Sequence, residues 1–292
     1  MRHAYLIMAH EYNFCLRSLI KCIDDKRNDI YVHVDKKARY FPFEELRKAV
    51  SFSRIFFVKR TNSNWASFGL VRAELVLLET AAKEEKYAYY HLLSGADLPL
   101  KSQNDIHKYF QENAGYQFVE YVKIDQDYDR IQYSYFLQNI INHGSTSIVN
   151  RGLMKIQRTA VSIQKKMNLK KNKRIDLYRG AQWFSITDEF AHYVIQSKHR
   201  IQKIFNNTLC PDELFIQTIL AGSPFEASVF NRYENQICNS MRYIDWKRGN
   251  PYVFRIEDYE QLVHSDMMFA RKFSETVDRD IIEQICVHCT SN

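Results

Sequence analysis

A chain of 292 residues, 46% hydrophobic and 26% charged, is long enough to bury a sizeable core, which excludes a disordered tail or a disulfide-stapled miniprotein. Its 8 glycines and 5 prolines leave no room for flexible linkers, collagen-like repeats or a glycine-rich phosphate cradle. The net charge of +7 points at first sight to nucleic acid, but nine lysines and arginines with no acid fall within residues 151–174, and the rest of the chain carries −2.

Residues 4–9 form a short apolar run with neither the length nor the cleavage pattern of a signal peptide, and read as a first strand. Further apolar runs at 29–34, 54–58 and 87–93 alternate with amphipathic stretches at 14–23, 43–50 and 67–83. In the last of these Leu70, Ala73, Leu77 and Ala81 share one helical face. This βαβα spacing predicts an α/β fold, a mostly parallel sheet covered by helices. Beyond it the pattern predicts a helix at 102–111, a strand at 117–122 and an aromatic segment at 131–137 that fits strand or helix. Helices follow at 150–168, 188–205, 211–221 and 257–264, with strands at 182–186, 227–233 and 241–245. No internal repeat or compositional break marks a second domain, so residues 1–292 read as one unit.

No run reaches the roughly 18–20 apolar residues needed to cross a bilayer, which predicts a soluble or peripherally attached protein. The six cysteines, at 15, 22, 210, 238, 286 and 289, lack the dense spacing of a secreted framework and favour reduced thiols in a cytosol. Cys286-Val-His-Cys289 is a lone CxxC, and without a second pair it reads as a C-terminal helix or tail feature in preference to a zinc or redox site.

In an open α/β sheet ligands bind beyond the carboxyl ends of the strands, and those ends are polar here: His10, His33-Val34-Asp35-Lys36 and Ser94-Gly95-Ala96-Asp97. An Asp after the second strand suits hydrogen bonds from a nucleoside, although strand-end Asp and Ser also make ordinary turns. No GxGxxG, GxxxxGK[ST] or GxSxG occurs, so dinucleotide, P-loop and α/β-hydrolase chemistries lose support. A phosphorylated ligand would then need a metal or side-chain cations. Asp125-Gln-Asp127 is the metal candidate, since a DxD pair can hold a divalent cation, though it also reads as a solvated loop; Arg242 with Lys272 is the cation candidate.

The segments Tyr5-Leu-Ile-Met-Ala-His10, Val32-His-Val-Asp35-Lys36 and Leu92-Leu-Ser-Gly-Ala-Asp97-Leu-Pro99-Leu-Lys101 occur in order. Trp65 lies between the second and third, and after them come Gly180-Ala-Gln-Trp183-Phe184, Cys210-Pro-Asp-Glu213-Leu-Phe215, Arg242-Tyr-Ile-Asp245-Trp246 and Phe269-Ala-Arg-Lys272-Phe273. Together they resemble the inverting β-1,6-N-acetylglucosaminyltransferases of the core-2 and I-branching type, a family that also contains the peptide O-xylosyltransferases. The resemblance implies a GT-A-like, Rossmann-type mixed sheet flanked by helices, with residues 1–101 as a nucleotide-binding half and 102–292 as an acceptor and catalytic half. It implies transfer of a sugar, GlcNAc first, from a UDP-sugar to a glycan hydroxyl without a metal or other cofactor. A UDP-xylose or other UDP-hexose transferase, or a non-catalytic glycan- or nucleotide-binding module, is the alternative.

By matching position the resemblance makes Glu213 the catalytic base, and Arg242 and Lys272 the cations that bind the diphosphate in place of a metal. Asp125 and Asp127 do not fall at the family's donor motif and become loop residues. Asp35 matches a uridine contact, Trp65 a position on the donor side, and His10 the adjoining strand end. Asp97, Glu120, Arg130, Gln182 and Trp183 are candidates for the acceptor or the transferred sugar, with Gln182 departing from residues that relatives carry there. Asp212 reads as a helix cap beside Glu213.

The animal members look like type II membrane proteins, whereas this chain begins at its first strand, which leads to the expectation of a bacterial cytoplasmic enzyme. Such an enzyme would build a surface polysaccharide on a lipid-linked acceptor at the inner face of the membrane. Residues 151–174 contain no aromatic residue, which argues against nucleic acid. Within them Leu153, Ile156, Ala160, Ile163 and Met167 form one stripe amid basic residues. That pattern fits either a helix docked on the core with a solvated basic face or a peripheral contact with anionic lipid.

Overall fold

The computed structural model describes residues 1–124, 129–141, 145–172, 175–234 and 236–291. Ten strands are assigned among them: β1 (His3–Ala9), β2 (Asn28–Val34), β3 (Arg54–Phe57), β4 (Tyr89–Ser94), β5 (Asp97–Pro99), β6 (Val122–Ile124), β7 (Leu177–Arg179), β8 (Ser185–Thr187), β9 (Arg242–Ile244) and β10 (Phe269–Arg271). The α-helices are α1 (Phe14–Cys22), α2 (Phe43–Arg47), α3 (Phe68–Glu84), α4 (Gln103–Glu112), α5 (Asp129–Gln132), α6 (Ile148–Lys166), α7 (Asp188–Gln196), α8 (Lys198–Phe205), α9 (Phe215–Leu220), α10 (Tyr259–Val263) and α11 (Asp280–Thr290).

The main sheet runs β3-β2-β1-β4-β8, its first four strands parallel and β8 antiparallel to β4. This is the expected mixed sheet flanked by helices. Its central strands are buried on both faces because their apolar residues serve two cores in alternation. Tyr5, Ile7 and Ala9 of β1 face a core shared with α1, α4 and α11, while Ala4, Leu6 and Met8 face a core shared with α3, α7, α8 and α9. Side-chain caps start several of the helices: Asn13 accepts from the backbone N–H of Leu16, Ser67 from that of Gly69, and Ser147 from that of Asn150.

Several expectations are corrected. Residues 117 and 118 make single bridges, with Val229 and Ser185, and regular strand begins only at Val122; Val229 likewise makes one bridge where residues 227–233 read as a strand. The helix expected over 188–205 breaks at Ser197 into α7 and α8, and the one over 211–221 begins as a 3-10 turn, Pro211–Glu213. The 131–137 segment starts as the end of the short helix α5 and then runs irregularly into a turn, forming no strand. Cys286 and Cys289 lie buried within α11, the helical reading of the CxxC. Among the described residues no helix is long and apolar enough to cross a membrane.

A smaller sheet, β5-β10-β9, sits beyond the end of β4. Arg242 at the start of β9 stitches the two sheets together. Its Nη2 donates to the carbonyls of Leu92 (3.2 Å) and Phe184 (2.5 Å), and its Nη1 to the Ser185 hydroxyl (2.8 Å) and the Ser240 carbonyl. The same Ser185 oxygen meets His91 Nδ1 at 2.7 Å, and His91 Nε2 meets His3 Nδ1 at 3.1 Å. Burial lowers the pKa of both imidazoles well below the usual value, and each is further depressed by a neighbouring histidine.

Arg242 is 2% exposed, and burial draws its pKa down to about 9, with Asp97 and Tyr5 opposing. Its two terminal nitrogens are taken up by backbone and hydroxyl oxygens, while its Nε is buried without a partner among the described residues. The arginine expected to bind a diphosphate thus lies in the joint between the sheets, outside the residues that line the cleft at the strand ends. We expect Arg242→Met to cost about 3–5 kcal/mol in urea unfolding, because it removes the hydrogen bonds that the guanidinium makes to four buried oxygens. A variant of unchanged stability that had lost only nucleotide binding would contradict this.

Candidate functional site

A cleft of about 730 Å³ opens at the carboxyl ends of β1, β2 and β4. It is lined by His10, Asp35 and the loop Ser63-Asn64-Trp65, by Ala181-Gln182-Trp183, Asp212-Glu213 and Arg271, and by Trp246 and Pro251.

Asp35 leaves β2 with its carboxylate held from several sides. Oδ1 accepts from the Lys37 backbone N–H (2.8 Å), Oδ2 from the Ser63 hydroxyl (2.6 Å), and the Lys37 ammonium lies 3.6 Å away. Burial alone would raise its pKa, but the Ser63 hydroxyl and the Lys37 backbone and ammonium outweigh it and hold the pKa below the usual value. Behind it His33 Nε2 accepts from the Thr61 N–H at 3.0 Å, and burial lowers its pKa to about 4 against the opposing pull of Asp35. Trp65 is 63% exposed and lines the cleft as an open platform. His10 is also exposed at the rim.

Beside the Trp65 loop Glu213 closes the 3-10 turn that follows Cys210. Cys210 has φ 49 and donates its N–H to the carbonyl of Ala66, itself at φ 60. Two non-glycine residues in the left-handed region thus brace the Trp65 loop against the Glu213 turn, a local strain the surrounding packing must hold. The Glu213 carboxylate pairs with Arg130 Nη1 at 2.6 Å, and its backbone carbonyl accepts from the Gly180 N–H at 3.0 Å. Gly180 has no alternative here: a Cβ would stand 2.0 Å from the Glu120 carbonyl oxygen. Glu120 accepts from the Ala181 N–H at 2.7 Å, and burial raises its pKa. Glu120 and Arg130 thus sit behind the cleft wall and bear on it through Ala181 and Glu213.

Besides Lys37, the cleft lining carries the cation Arg271, next to the anticipated Lys272. Its Nη1 donates to Asp97 Oδ1 (2.7 Å) and to Ser94, and its guanidinium lies 4.5 Å from the Trp183 ring centroid. Asp97, 2% exposed, lies outside the lining and holds Arg271. Lys272 lies half-buried outside the lining, and no ion pair engages its ammonium among the described residues. Sequence reasoning passed over Arg271 although it adjoins Lys272 in the quoted motif. Asp125 and Asp127 lie outside the described residues. Among those described, no group of three or more His, Cys, Asp or Glu side chains could hold a metal ion.

A second unanticipated group is Glu74, completely buried on α3 at the helical spacing of the apolar face carrying Leu70 and Leu77. Gln182 Nε2 donates to its Oε1 at 2.8 Å and contacts Met8 Sδ at 3.3 Å, which fixes the amide of Gln182 at the cleft surface. Glu74 Oε2 and Asp212 Oδ1 are buried without partners. Burial raises the Glu74 pKa well above the usual range, with Asp212 adding to it and Gln182 opposing. Burial, then Glu213, raises the Asp212 pKa to about 7.

The family model described as Core-2/I-Branching enzyme matches residues 3–268. The chain is 23% identical over 307 residues to xylosyltransferase 2 of Canis lupus familiaris, covering 99% of this chain and 34% of that protein. Xylosyltransferase 1 of Rattus norvegicus is 22% identical over 98% of this chain and 35% of its own length. The chain thus spans about a third of the length of these relatives. The crystal structure of mouse xyloside xylosyltransferase 1 covers 94% of the chain with a TM-score of 0.38 and 8% identity.

Because folded Asp212 keeps its proton up to about pH 7 whereas an unfolded Asp releases it near 4, the protein loses stability as pH rises across that window. Asp212→Asn should remove that slope. Its melting temperature should gain on the parent from pH 5 to pH 8, by a stability difference on the order of a few kcal/mol. Parallel pH profiles for the two proteins would show an ordinary carboxyl.

Proposed function

The chain belongs to the Core-2/I-branching enzyme family, and we propose that it is an inverting glycosyltransferase that moves a sugar from a UDP-sugar to a glycan hydroxyl. The observation that supports this reading is one cleft whose lining includes the Asp35 carboxylate, the Arg271 cation held by Asp97, and the Glu213 carboxylate paired with Arg130.

In this reading the uridine lies against Asp35 and the open face of Trp65. Arg271, with Lys272 from the adjoining position, faces the diphosphate. The acceptor oxygen attacks the anomeric carbon while the bond from that carbon to the β-phosphate oxygen breaks, and the electron pair leaves with UDP. Attack opposite the leaving group inverts the anomeric configuration. Glu213 takes the acceptor's proton as attack proceeds, and Arg130 holds its carboxylate in place. UDP departs as an anion, so no second acid is required. A preorganised guanidinium offsets the charge that develops on the phosphate, the task a divalent metal would otherwise perform.

UDP-GlcNAc is the first donor and a surface polysaccharide intermediate on a lipid carrier the acceptor, at the cytoplasmic face of a bacterial membrane. UDP-xylose is the second donor, favoured by the named activity of the xylosyltransferase relatives. Gln182, locked by Glu74 at the cleft surface, is the side chain suited to read the sugar.

Glu213→Gln should lower transfer by about 10²- to 10⁴-fold while UDP binding measured by calorimetry stays within a few-fold; unchanged turnover would leave Glu213 a helix-turn residue. Arg271→Lys keeps the charge but loses the planar fork, and should weaken UDP binding at least tenfold. Transfer from UDP-GlcNAc or UDP-xylose should survive EDTA. Loss on chelation with recovery in manganese would return the metal role to the Asp125 and Asp127 pair.

A further inference from the structure

Helix α6 docks with a face about a quarter-turn away from the apolar stripe that its composition suggests. Gln157 Oε1 accepts from the Leu137 N–H at 2.7 Å, and Gln164 Oε1 from the Ser134 N–H at 2.9 Å. Asn150, Gln157 and Val161 are the buried residues of the helix. Polar side chains therefore clip α6 to the segment before it, and the apolar stripe is left outside. Val149, Ile156, Ile163 and Met167 recur seven, seven and four residues apart, each half or more exposed at 75%, 56%, 50% and 62%. The helix carries no acidic residue, and its Arg151, Lys155, Arg158 and Lys166 are exposed and make no ion pair among the described residues. Only Lys165 of the helix is paired, with Asp129.

An apolar stripe edged by unneutralised cations is the surface of an interfacial helix, whose apolar side chains enter the acyl boundary while the basic ones meet headgroups. The preceding turn extends the patch: Phe136 and Ile140 are 47% and 60% exposed. That turn also reaches the cleft, where Gln138 donates to the Trp65 carbonyl, Asn64 donates to the Asn139 carbonyl, and Ile141 contributes to the lining. We propose that α6 and the 136–140 turn seat the protein on an anionic bilayer surface, bringing the Trp65 side of the cleft to the headgroup layer. A lipid-borne acceptor would reach the cleft from that side.

Sedimentation of the whole chain with vesicles tests this without turnover, so failure of the assigned reaction leaves the result readable. The chain should pellet with phosphatidylcholine vesicles containing a quarter phosphatidylglycerol, and partition at least tenfold less onto pure phosphatidylcholine or at high salt. Ile156→Asp with Ile163→Asp should abolish pelleting while leaving the melting temperature and sugar transfer to a soluble acceptor unchanged, since both side chains already face water. Ile163→Trp should show a blue-shifted emission only with the anionic vesicles. Absence of pelleting, equal pelleting on neutral lipid, or pelleting that survives the double Asp variant would overturn the proposal. So would a dimer in sedimentation velocity that the double variant dissociates, which would assign the face to a second copy.

Discussion

A guanidinium with no water around it organises this molecule. Arg242 draws the carbonyls of Leu92, Phe184 and Ser240 and the hydroxyl of Ser185 onto one planar group, and so fixes how β9 stands against β4 and β8. The cleft inherits its shape from that joint. Phe184 immediately follows Gln182 and Trp183, and β10, which ends at Arg271, is registered on β9 with Phe269 opposite Arg242. Moving the buried cation would shift both Trp183 and the partly buried Arg271 that lies against it. Desolvating a charge this completely is costly, and the cost is met because the guanidinium donates to four oxygens.

The cleft sorts carboxyl groups by environment. Hydroxyl and backbone donors surround Asp35 and favour its ionised form, whereas Asp212 and Glu74 lie where no donor meets one oxygen of each, so burial favours the protonated form. Glu213 is half-exposed and paired with Arg130. Groups of one chemical type thus meet different surroundings in and just behind one cavity. The Gln182 amide connects these surroundings, one end bound to Glu74 and the whole group presented to the cleft.

The parallel half of the fold was legible because its strands are apolar on both faces and its helices carry strong stripes, so period and length agree at β1, β2, β4 and α3. Short strands such as β5, β7 and β10 left no period to detect; three residues are held by their partners, not by their own pattern. Strand-end residues such as Asp35 were visible because topology alone places them at the cleft. Arg242 and Arg271 show the opposite case: both are basic residues at short strands, and nothing local tells which one the tertiary packing buries. Helix α6 misled for a related reason. An amphipathic pattern reports that two faces differ, while the choice of docked face was made by hydrogen bonds from Gln157 and Gln164 to a turn 20 to 30 residues away.

The two arginines differ in what a substitution would disturb. Arg271 meets Asp97, Ser94 and the Trp183 ring at the cleft, so its loss would be felt locally. Arg242 ties β9 to β4 and β8 through four buried oxygens, so a change in the Arg242-Tyr-Ile-Asp245-Trp246 segment would loosen the seam on which both sheets rest.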